Sequence, residues 1–553
     1  MELTKTTRPG NPGVSSASSP PRVLLLGLDA ACEPVLDQVT DAGVAPTLAQ
    51  LVDRGVAGPL ESQHPPWTPS AWPSLYTGVN PGKHGVFDFL TFDGYDWDVV
   101  NHTCVREWTL WETLARHGYT SVVVNVPVTH PPRAFDGALV PGYTAPEDPT
   151  CHPDGVLATV REAVPDYTVY SADTDGRDAH VEELQRLVRT RGQVFRHLAD
   201  RYDPDFGFLQ FQATDTVFHE LPGDDDAVAA VYDAVDEQVR ATVDAFDPDT
   251  VLVVSDHGIG PYAGYEFNVN EFLRRHGYLS TRRGGEGMPS WSSIARTRLR
   301  NGESGGRPTQ SATARVAALA ARAGLTSQRL QRLLATLGLD EVVARHAPTD
   351  AIRAGTRQVD FDASMAYMRS RIECGIRLNV VGREPAGTVA PAEYDQVREE
   401  LMALLADVRT PDGDRVFEAV RPREAVFDGP AVAAAADIQV TPTDYDHYLS
   451  ATVATDTFSE ATNLYNHKRD GLVVAAGDGV DTARPLDDAH LFDVTPTVLA
   501  CYDIPAADRM DGAVLPCVDS AGRTTYPPFE GPARSETDDR AVEQRLSNLG
   551  YLE

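Results

Sequence analysis

Short, continuous apolar runs of the kind expected for buried β-strands recur along the chain. Each run lacks strict polar alternation, which is typical of strands that are buried on both faces of a parallel sheet. Segments with helical spacing of apolar residues lie between them, residues 226–246 being the clearest. Strands that alternate with helices predict a doubly wound, mostly parallel α/β sheet with helices on both faces. The apolar runs span residues 22–28, 121–126, 206–211, 250–254, 377–381 and 471–476.

The pattern changes in the middle of the chain and at both ends. From residue 279 the sequence is rich first in Gly, Ser and Arg, and then in Ala, Leu and Arg with helical spacing. We interpret this segment as a helical cap inserted into the α/β core. The N-terminus is rich in Ser, Pro and Gly without the apolar stretch of a signal peptide, so we expect a disordered leader. The predicted divisions are a leader (1–21), a first core part (22–278), the cap (279–350), a second core part (351–530) and a polar C-terminal segment (531–553).

Composition and charge narrow the classes of function. The 553 residues carry a formal net charge of -33, and all 48 basic residues except Lys5, Lys83 and Lys468 are Arg. Acidity spread along a chain argues against a nucleic-acid groove, and no apolar run approaches the ~20 residues that span a bilayer. We expect a cytoplasmic, halophilic protein, because dispersed acidity keeps a protein soluble in high salt, with an acidic mesophilic protein as the alternative. The oligomeric state is not predicted.

Aspartate and histidine side chains follow three of the predicted strands. Asp29 follows the first strand, and Asp256 and His257 follow the fourth. Asp215 and His219 come after the strand at 206–211, four residues apart, so that on a helix both can chelate one ion. The carboxyl ends of parallel strands meet at one edge of a sheet, where ligands bind. We therefore expect these carboxylates and imidazoles to converge on a metal site.

His467 is a further candidate ligand, since it lies in an Asn-His-Lys-Arg-Asp-Gly stretch just before the predicted strand at 471–476. Taken one at a time, these signals are weak. An Asp-x-x-x-His pair is more often a surface salt link or a helix cap, and Asp-His-Gly is more often a turn. Their weight as a metal site depends on what else the sequence contains.

The segment at residues 65–85 supplies that further evidence. It reads Pro-Pro-Trp-Thr-Pro-Ser-Ala-Trp-Pro-Ser-Leu-Tyr and continues with Thr-Gly-x-x-Pro-x-x-His-Gly. It resembles the nucleophile segment of the type I phosphodiesterase/nucleotide pyrophosphatase family, within the alkaline phosphatase superfamily, in which a Thr heads a helix. Thr68 stands at that position, and the order of the Asp and His residues matches the family's order of metal ligands. The resemblance extends over most of residues 22–515.

The resemblance implies an alkaline phosphatase-like fold and a two-metal hydrolase of phosphate esters. It implies two divalent ions per chain, zinc or else manganese, both of which suit Asp and His ligands. Metal coordination lowers the pKa of a hydroxyl, so Thr68 is expected to attack phosphorus and form a phosphothreonine. The implied ligands are Asp215, His219 and His467 for one ion, and Asp29, Asp256, His257 and Thr68 for the other.

Several alternatives stay open at this point. The expected substrate is a small or lipid-linked phosphodiester or pyrophosphate. A phosphomonoesterase, a phosphonate hydrolase, a phosphoryl transferase and a metal-binding protein without catalysis are the competing functions. The characterised diesterases carry an Asn three residues after the nucleophile, whereas this chain has Ala71, which leaves the preference for diesters over monoesters undecided. Thr68 has a structural alternative as the cap of a helix that begins near Pro69. Ser70 and Trp72 are candidates for the substrate pocket, but the favoured interpretation of each is a helix-start residue or core packing.

Overall fold

The structure, a computed structural model, describes residues 20–172, 174–283, 357–461, 465–531 and 535. Its helices are α1 (Glu33–Asp41), α2 (Pro46–Arg54), α3 (Thr68–Thr77), α4 (Pro81–His84), α5 (Leu110–Arg116), α6 (Val156–Ala163), α7 (Arg177–Tyr202), α8 (Ala213–Glu220), α9 (Asp225–Phe246), α10 (Val269–Arg275), α11 (Tyr394–Ala406) and α12 (Val494–Ala500). Its strands are β1 (Val23–Leu28), β2 (Val56–Glu61), β3 (Leu90–Asp93), β4 (Asp96–Val99), β5 (Ser121–Val124), β6 (Gly137–Val140), β7 (Phe206–Phe211), β8 (Thr250–Val254), β9 (Gly258–Pro261), β10 (Tyr265–Asn268), β11 (Thr281–Arg283), β12 (Arg357–Val359), β13 (Ala366–Tyr367), β14 (Gly375–Leu378), β15 (Phe417–Pro422), β16 (Ile438–Pro442), β17 (Tyr448–Ser450), β18 (Phe458–Glu460), β19 (Tyr465–Lys468), β20 (Asp470–Gly477), β21 (Ala489–His490), β22 (Ala506–Ala507) and β23 (Arg523–Thr524).

An eight-stranded sheet in the order β21-β2-β20-β8-β1-β7-β5-β6 forms the centre of the fold. The strands from β8 to β6 in this order are all parallel, and β20 runs antiparallel to both of its neighbours. Strands β7 and β8 have the bounds that the apolar runs predict, and β1 begins one residue later. The prediction of a mostly parallel α/β fold is confirmed.

The two faces of β1 show why its sequence is apolar at every position. Leu24 and Leu26 belong to a core cluster that includes side chains of α1, α2, α7 and α9. Val23 and Leu25 belong to a second cluster, which includes side chains of α3, α5 and α12. A strand that is covered by helices on both faces has no side exposed to solvent, so its residues are apolar at successive positions. The doubly wound architecture follows directly.

All of the predicted cap except residues 279–283 lies outside the described residues, as do most of the leader and of the polar C-terminal segment. On either side of the gap at 284–356, β11 and β12 form an antiparallel pair in which Thr281 lies opposite Val359. The chain therefore leaves and re-enters the described residues at neighbouring points, as an insertion requires. The division into core parts, cap and terminal segments stays a prediction. Within the described residues, no helix combines the length and apolarity needed to cross a membrane.

Candidate active site

The predicted site residues all lie at or near the carboxyl edge of the central sheet. Asp29 follows β1 directly, and Asp256 and His257 follow β8 after a single serine. Asp215 and His219 lie on α8, the helix that follows β7, as the sequence predicts. This placement explains how residues more than two hundred positions apart come into contact.

The first group, here named the carboxylate cluster, consists of Asp29, Thr68, Asp256 and His257. The Nε2 atom of His257 lies 3.2 Å from Asp256 Oδ2, 3.6 Å from Asp29 Oδ1 and 3.2 Å from Thr68 Oγ1. All four residues are completely buried. Asp29, Asp256 and His257 could hold a metal ion with one ligand atom each.

The second group, here named the histidine cluster, consists of Asp215, His219 and His467. Asp215 Oδ1 lies 3.2 Å from His219 Nε2 and 3.6 Å from His467 Nε2, and the two Nε2 atoms are 3.2 Å apart. His467 lies on β19, which pairs with β9 so that His467 is opposite Ile259. This pairing brings His467, which lies more than two hundred positions after Ile259 in the sequence, into the site.

His257 connects the two clusters. Its ring stacks on the ring of His467, with centroids 3.7 Å apart and planes inclined by 18°. Asp215, His257 and His467 also form a set that could hold an ion. The positions of the side chains alone therefore leave His257 at the boundary between two adjacent ion positions, while the resemblance assigns it to one of them.

Thr68 is the first residue of α3, and it does not act as the helix cap. Trp67 occupies the cap position with extended backbone, and no side-chain hydrogen bond caps this helix end. The Thr68 hydroxyl instead faces Nε2 of His257. The alternative interpretation, in which the Thr68 side chain caps a helix that starts near Pro69, requires a hydrogen bond from a backbone amide to Thr68 Oγ1. The structure shows no such bond at this helix end.

The carboxylates of the carboxylate cluster are held at one oxygen each. Asp29 Oδ2 accepts from Trp72 Nε1 and Gln210 Nε2, both at 2.9 Å, and Asp256 Oδ1 accepts from the Ala30 amide at 3.3 Å. Asp29 Oδ1 and Asp256 Oδ2 accept no hydrogen bond from the described residues. A buried carboxylate oxygen without a donor is costly unless a cation compensates it. The oxygen and imidazole donors fit divalent ions such as Zn²⁺ or Mn²⁺.

The shifted pKa values of the buried groups also indicate a site for cations. Burial raises the pKa of Asp29 well above its usual range, and the nearby carboxylates Asp256 and Asp215 raise it further. Burial also raises the pKa of Asp256 to about 6, although His257 opposes the shift. The pKa of His467 falls well below its usual value because of burial and the neighbouring imidazoles. The protein alone thus disfavours ionised carboxylates here, and a bound cation is what reverses that balance.

A chain of hydrogen bonds that the sequence did not reveal supports Asp29 from behind. Arg191 Nε donates to Asn125 Oδ1 at 2.8 Å, and Asn125 Nδ2 donates to Gln210 Oε1 at 2.7 Å. Gln210 then donates to Asp29. The available signal was Gln210 itself, a polar residue inside the apolar run of β7. Trp72, interpreted from the sequence as packing, also has the second role of orienting Asp29.

Two other positions near Thr68 behave as helix and core residues. Ser70 donates to the Trp67 carbonyl and accepts from Gln63 Nε2, which places it in the first turn of α3. Ala71 is fully buried in the apolar cluster on that side of the sheet. The preference for diesters over monoesters, which Ala71 left undecided at the sequence level, is not tested by this burial.

A family model described as type I phosphodiesterase / nucleotide pyrophosphatase matches residues 23–337 of the chain. This chain belongs to that family. It is therefore a phosphoester hydrolase. No curated protein matches the chain.

Several solved structures are similar to this chain at low sequence identity. Phosphonoacetate hydrolase from Sinorhizobium meliloti 1021 is 16% identical, with a TM-score of 0.50 over 86% of this chain and 94% of that one. Murine ectonucleotide pyrophosphatase / phosphodiesterase 5 is 12% identical, with a TM-score of 0.47 over 88% and 96%. The alkaline phosphatase PafA is 13% identical, with a TM-score of 0.49 over 91% and 100%. The first of these comparisons supports the alkaline phosphatase-like fold.

Proposed function

We propose that this protein hydrolyses phosphodiester or pyrophosphate bonds in a small or lipid-linked substrate, through a phosphothreonine on Thr68. The observation that carries the proposal is the position of the Thr68 hydroxyl, buried at the start of α3 and 3.2 Å from His257 Nε2. The N-terminus of a helix favours a bound anion, because its amide dipoles point toward the ligand. A phosphate placed there would lie against the nucleophile.

The metal ligands follow from the two clusters. Two divalent ions bound there would lower the pKa of the Thr68 hydroxyl and stabilise charge on the transferred phosphoryl group. The proposed ligands are Asp215, His219 and His467 for one ion, and Asp29, Asp256, His257 and Thr68 for the other.

The chain's own residues define the reaction. Thr68 Oγ1 gives up its proton to solvent and forms a bond to phosphorus, the bond from phosphorus to the leaving-group oxygen breaks, and the departing alkoxide takes up a proton from solvent. Water then attacks the phosphothreonine, the bond to Oγ1 breaks, and the Thr68 hydroxyl is restored as the phosphate product leaves. Trp72 and Gln210 hold the Asp29 carboxylate in place throughout, since they bind the oxygen that faces away from His257.

The test compares chromogenic substrates on metal-loaded protein. Bis-p-nitrophenyl phosphate should be hydrolysed with higher kcat/KM than p-nitrophenyl phosphate, and addition of a chelator should abolish both activities. Faster turnover of the monoester, of a phosphonate, or of transfer to an added alcohol would favour the competing reaction instead. Absence of all of these activities in protein that contains two ions would favour a metal-binding protein without catalysis.

The nucleophile is tested by substitution. Thr68→Ala should lower turnover by several orders of magnitude while fold and metal content stay nearly intact, and Thr68→Ser should retain much more activity. Thr77→Ala is the matched control, because it removes a buried hydroxyl at the other end of the same helix. The Thr77 hydroxyl donates a hydrogen bond to the Pro73 carbonyl. A Thr68→Ala protein with full activity would contradict the proposed nucleophile.

A further inference from the structure

His467 is held by the two consecutive residues that precede the proposed nucleophile, Pro66 and Trp67. Its Nδ1 atom lies 3.1 Å from the Pro66 carbonyl oxygen. A carbonyl oxygen can only accept a hydrogen bond, so Nδ1 carries the hydrogen and Nε2 keeps its lone pair. Nε2 is also the atom that lies 3.6 Å from Asp215 Oδ1. Pro66 thus selects the tautomer of His467 that can bind a metal ion through Nε2.

Trp67 restricts the orientation of the same imidazole. Its ring lies against the His467 ring, with centroids 4.2 Å apart and planes inclined by 39°. A hydrogen bond at a single ring atom leaves the tilt of an imidazole undefined, whereas contact with a large flat ring limits that tilt. The carbonyl of Pro66 and the indole of Trp67 therefore constrain different degrees of freedom of one side chain.

A cation from a remote segment holds the indole in turn. The guanidinium carbon of Arg371 lies 5.4 Å from the centroid of the Trp67 ring and 4.5 Å from the centroid of the Tyr448 ring on β17. A cation within about 6 Å of an aromatic centroid attracts the ring, and the attraction is stronger where water is excluded. Arg371 is only 7% exposed. The contacts therefore run from Tyr448 through Arg371 and Trp67 to His467.

The segment that carries this arginine is firmly attached to the rest of the protein. The backbone of Met368 exchanges two hydrogen bonds with the Asn270 side chain, at 2.8 and 2.9 Å. Arg369 forms a bidentate pair with Glu373, at 2.6 and 2.5 Å. A supporting side chain can hold its neighbour precisely only when its own backbone is fixed in this way.

We infer that Trp67 and Arg371 are positioning residues for His467. The guanidinium keeps the indole against the imidazole, so that Nε2 stays directed at the histidine cluster. The inference rests on the proposed function, since it takes His467 to be a metal ligand. It also gives the segment before Thr68 a second role, because residues 66–67 contact His467 while Thr68 itself contacts His257.

Simple packing is the competing interpretation, because Trp67 belongs to the large apolar core cluster. Loss of packing lowers the free energy of unfolding. It does not by itself change the affinity of the folded protein for zinc. Zinc affinity is therefore the measurement that separates a positioning role from a packing role.

The test measures zinc binding in the Asp256→Ala background, where the proposed ligands leave the histidine cluster as the remaining site. Competition with a chromophoric chelator gives the affinity without any turnover. Arg371→Met and Trp67→Leu should each weaken zinc binding by about tenfold or more, as the loss of residues that support a metal ligand does. Trp67→Phe keeps an aromatic face against His467 and should retain most of the affinity.

Arg22→Met is the matched control for Arg371→Met. It removes an arginine whose guanidinium carbon lies 4.5 Å from the centroid of the buried Phe246 ring. Arg22 precedes β1 and therefore lies at the opposite edge of the central sheet from the clusters. Its substitution should leave the zinc affinity unchanged.

A double-mutant cycle tests whether Arg371 acts through Trp67. The combined Trp67→Leu and Arg371→Met variant should bind zinc about as well as Trp67→Leu alone, because the guanidinium then has no indole to hold. Additive losses, or an unchanged zinc affinity in Arg371→Met, would overturn the inference. The second of these outcomes decides the matter even if Trp67→Leu does not fold.

The proposed function fails by a different result. Wild-type protein loaded with two zinc ions that hydrolyses no phosphate ester would contradict the proposed hydrolysis, whatever the zinc affinities of the variants. Unchanged zinc affinities in an active enzyme would contradict only the positioning role of Trp67 and Arg371.

Discussion

The two clusters of the active site differ in how firmly the protein holds them. In the carboxylate cluster every residue is fully buried, and Trp72, Gln210 and the Ala30 amide fix the carboxylates. In the histidine cluster, the side chain of His219 is 12% exposed. Asp215 and His467 are as buried as the carboxylate cluster, so the difference between the clusters lies in His219, whose ring borders a cavity of about 490 Å³.

This difference has a physical reason. Alignment of a nucleophile requires fixed groups, because small displacements reduce the rate strongly. The comparison predicts that the carboxylate cluster is less tolerant of substitution than the histidine cluster, and four measurements test this difference.

The largest effect is expected for Asp256→Ala. This change removes a buried carboxylate that faces His257, so the ion next to Thr68 should be lost and turnover should fall by several orders of magnitude. Metal analysis by mass spectrometry and kcat/KM for the diester provide the measurement. A variant that keeps both ions and full activity would show that the proposed ligands are wrong.

A smaller and reversible effect is expected for His219→Ala. Asp215 and His467 remain, so the affinity for one ion should fall while saturation with metal restores much of the activity. Titration of activity with Zn²⁺ and with Mn²⁺ measures this and also compares the two ions. His276→Ala, at the end of α10, serves as the control and should leave the metal dependence unchanged. If excess metal restores Asp256→Ala as readily as His219→Ala, the contrast between the clusters disappears.

A third, more modest effect concerns the donors behind Asp29. Trp72→Phe keeps an aromatic ring in the core but removes the N–H that binds Asp29 Oδ2, and the loss of such a supporting hydrogen bond lowers metal affinity about 10–100-fold. Trp111→Phe is a matched control, since its equally buried indole nitrogen makes no hydrogen bond with the described residues. Equal metal affinity in the two variants would mean that Trp72 only packs.

The smallest effect on activity is expected at Asp88, a buried carboxylate outside both clusters. Burial raises its pKa to about 7, although a Ser370 hydrogen bond opposes the shift. The folded protein therefore binds this proton more tightly than the unfolded chain, so the free energy of unfolding falls as pH rises from about 4 to about 7. Asp88→Asn should remove this decrease in the free energy of unfolding, which amounts to at most about 1.4 kcal/mol per pH unit.

Denaturant unfolding at about pH 5 and about pH 8 measures that difference. The stability of Asp88→Asn relative to the wild type should increase from the lower to the higher pH, while metal content and kcat/KM stay unchanged. A pH-independent difference would show that Asp88 does not titrate in this range. Loss of metal would place it with the two clusters.

Much of the fold was predictable because the central strands can be recognised from their own short sequences. β7 and β8 are buried at every position, and their sequences are nearly continuous apolar runs. Such runs are typical of strands that are covered on both faces of a parallel sheet. The i, i+4 spacing of Asp215 and His219 likewise fixes their common helix face as soon as α8 forms. These inferences need only neighbours in the sequence.

The sequence was sufficient to predict the α/β class, the edge of the sheet at which the Asp and His residues gather, and the types of residue found there. The folded structure was needed to show that His467 reaches this edge through the β19–β9 pair, that His257 touches both clusters, and that Gln210 and Trp72 orient Asp29. It also decided that α7 and α8 enclose a cavity beside His219. The reason is that local propensity and periodicity act over a few residues, whereas these distances depend on the order of strands and on how remote segments pack together.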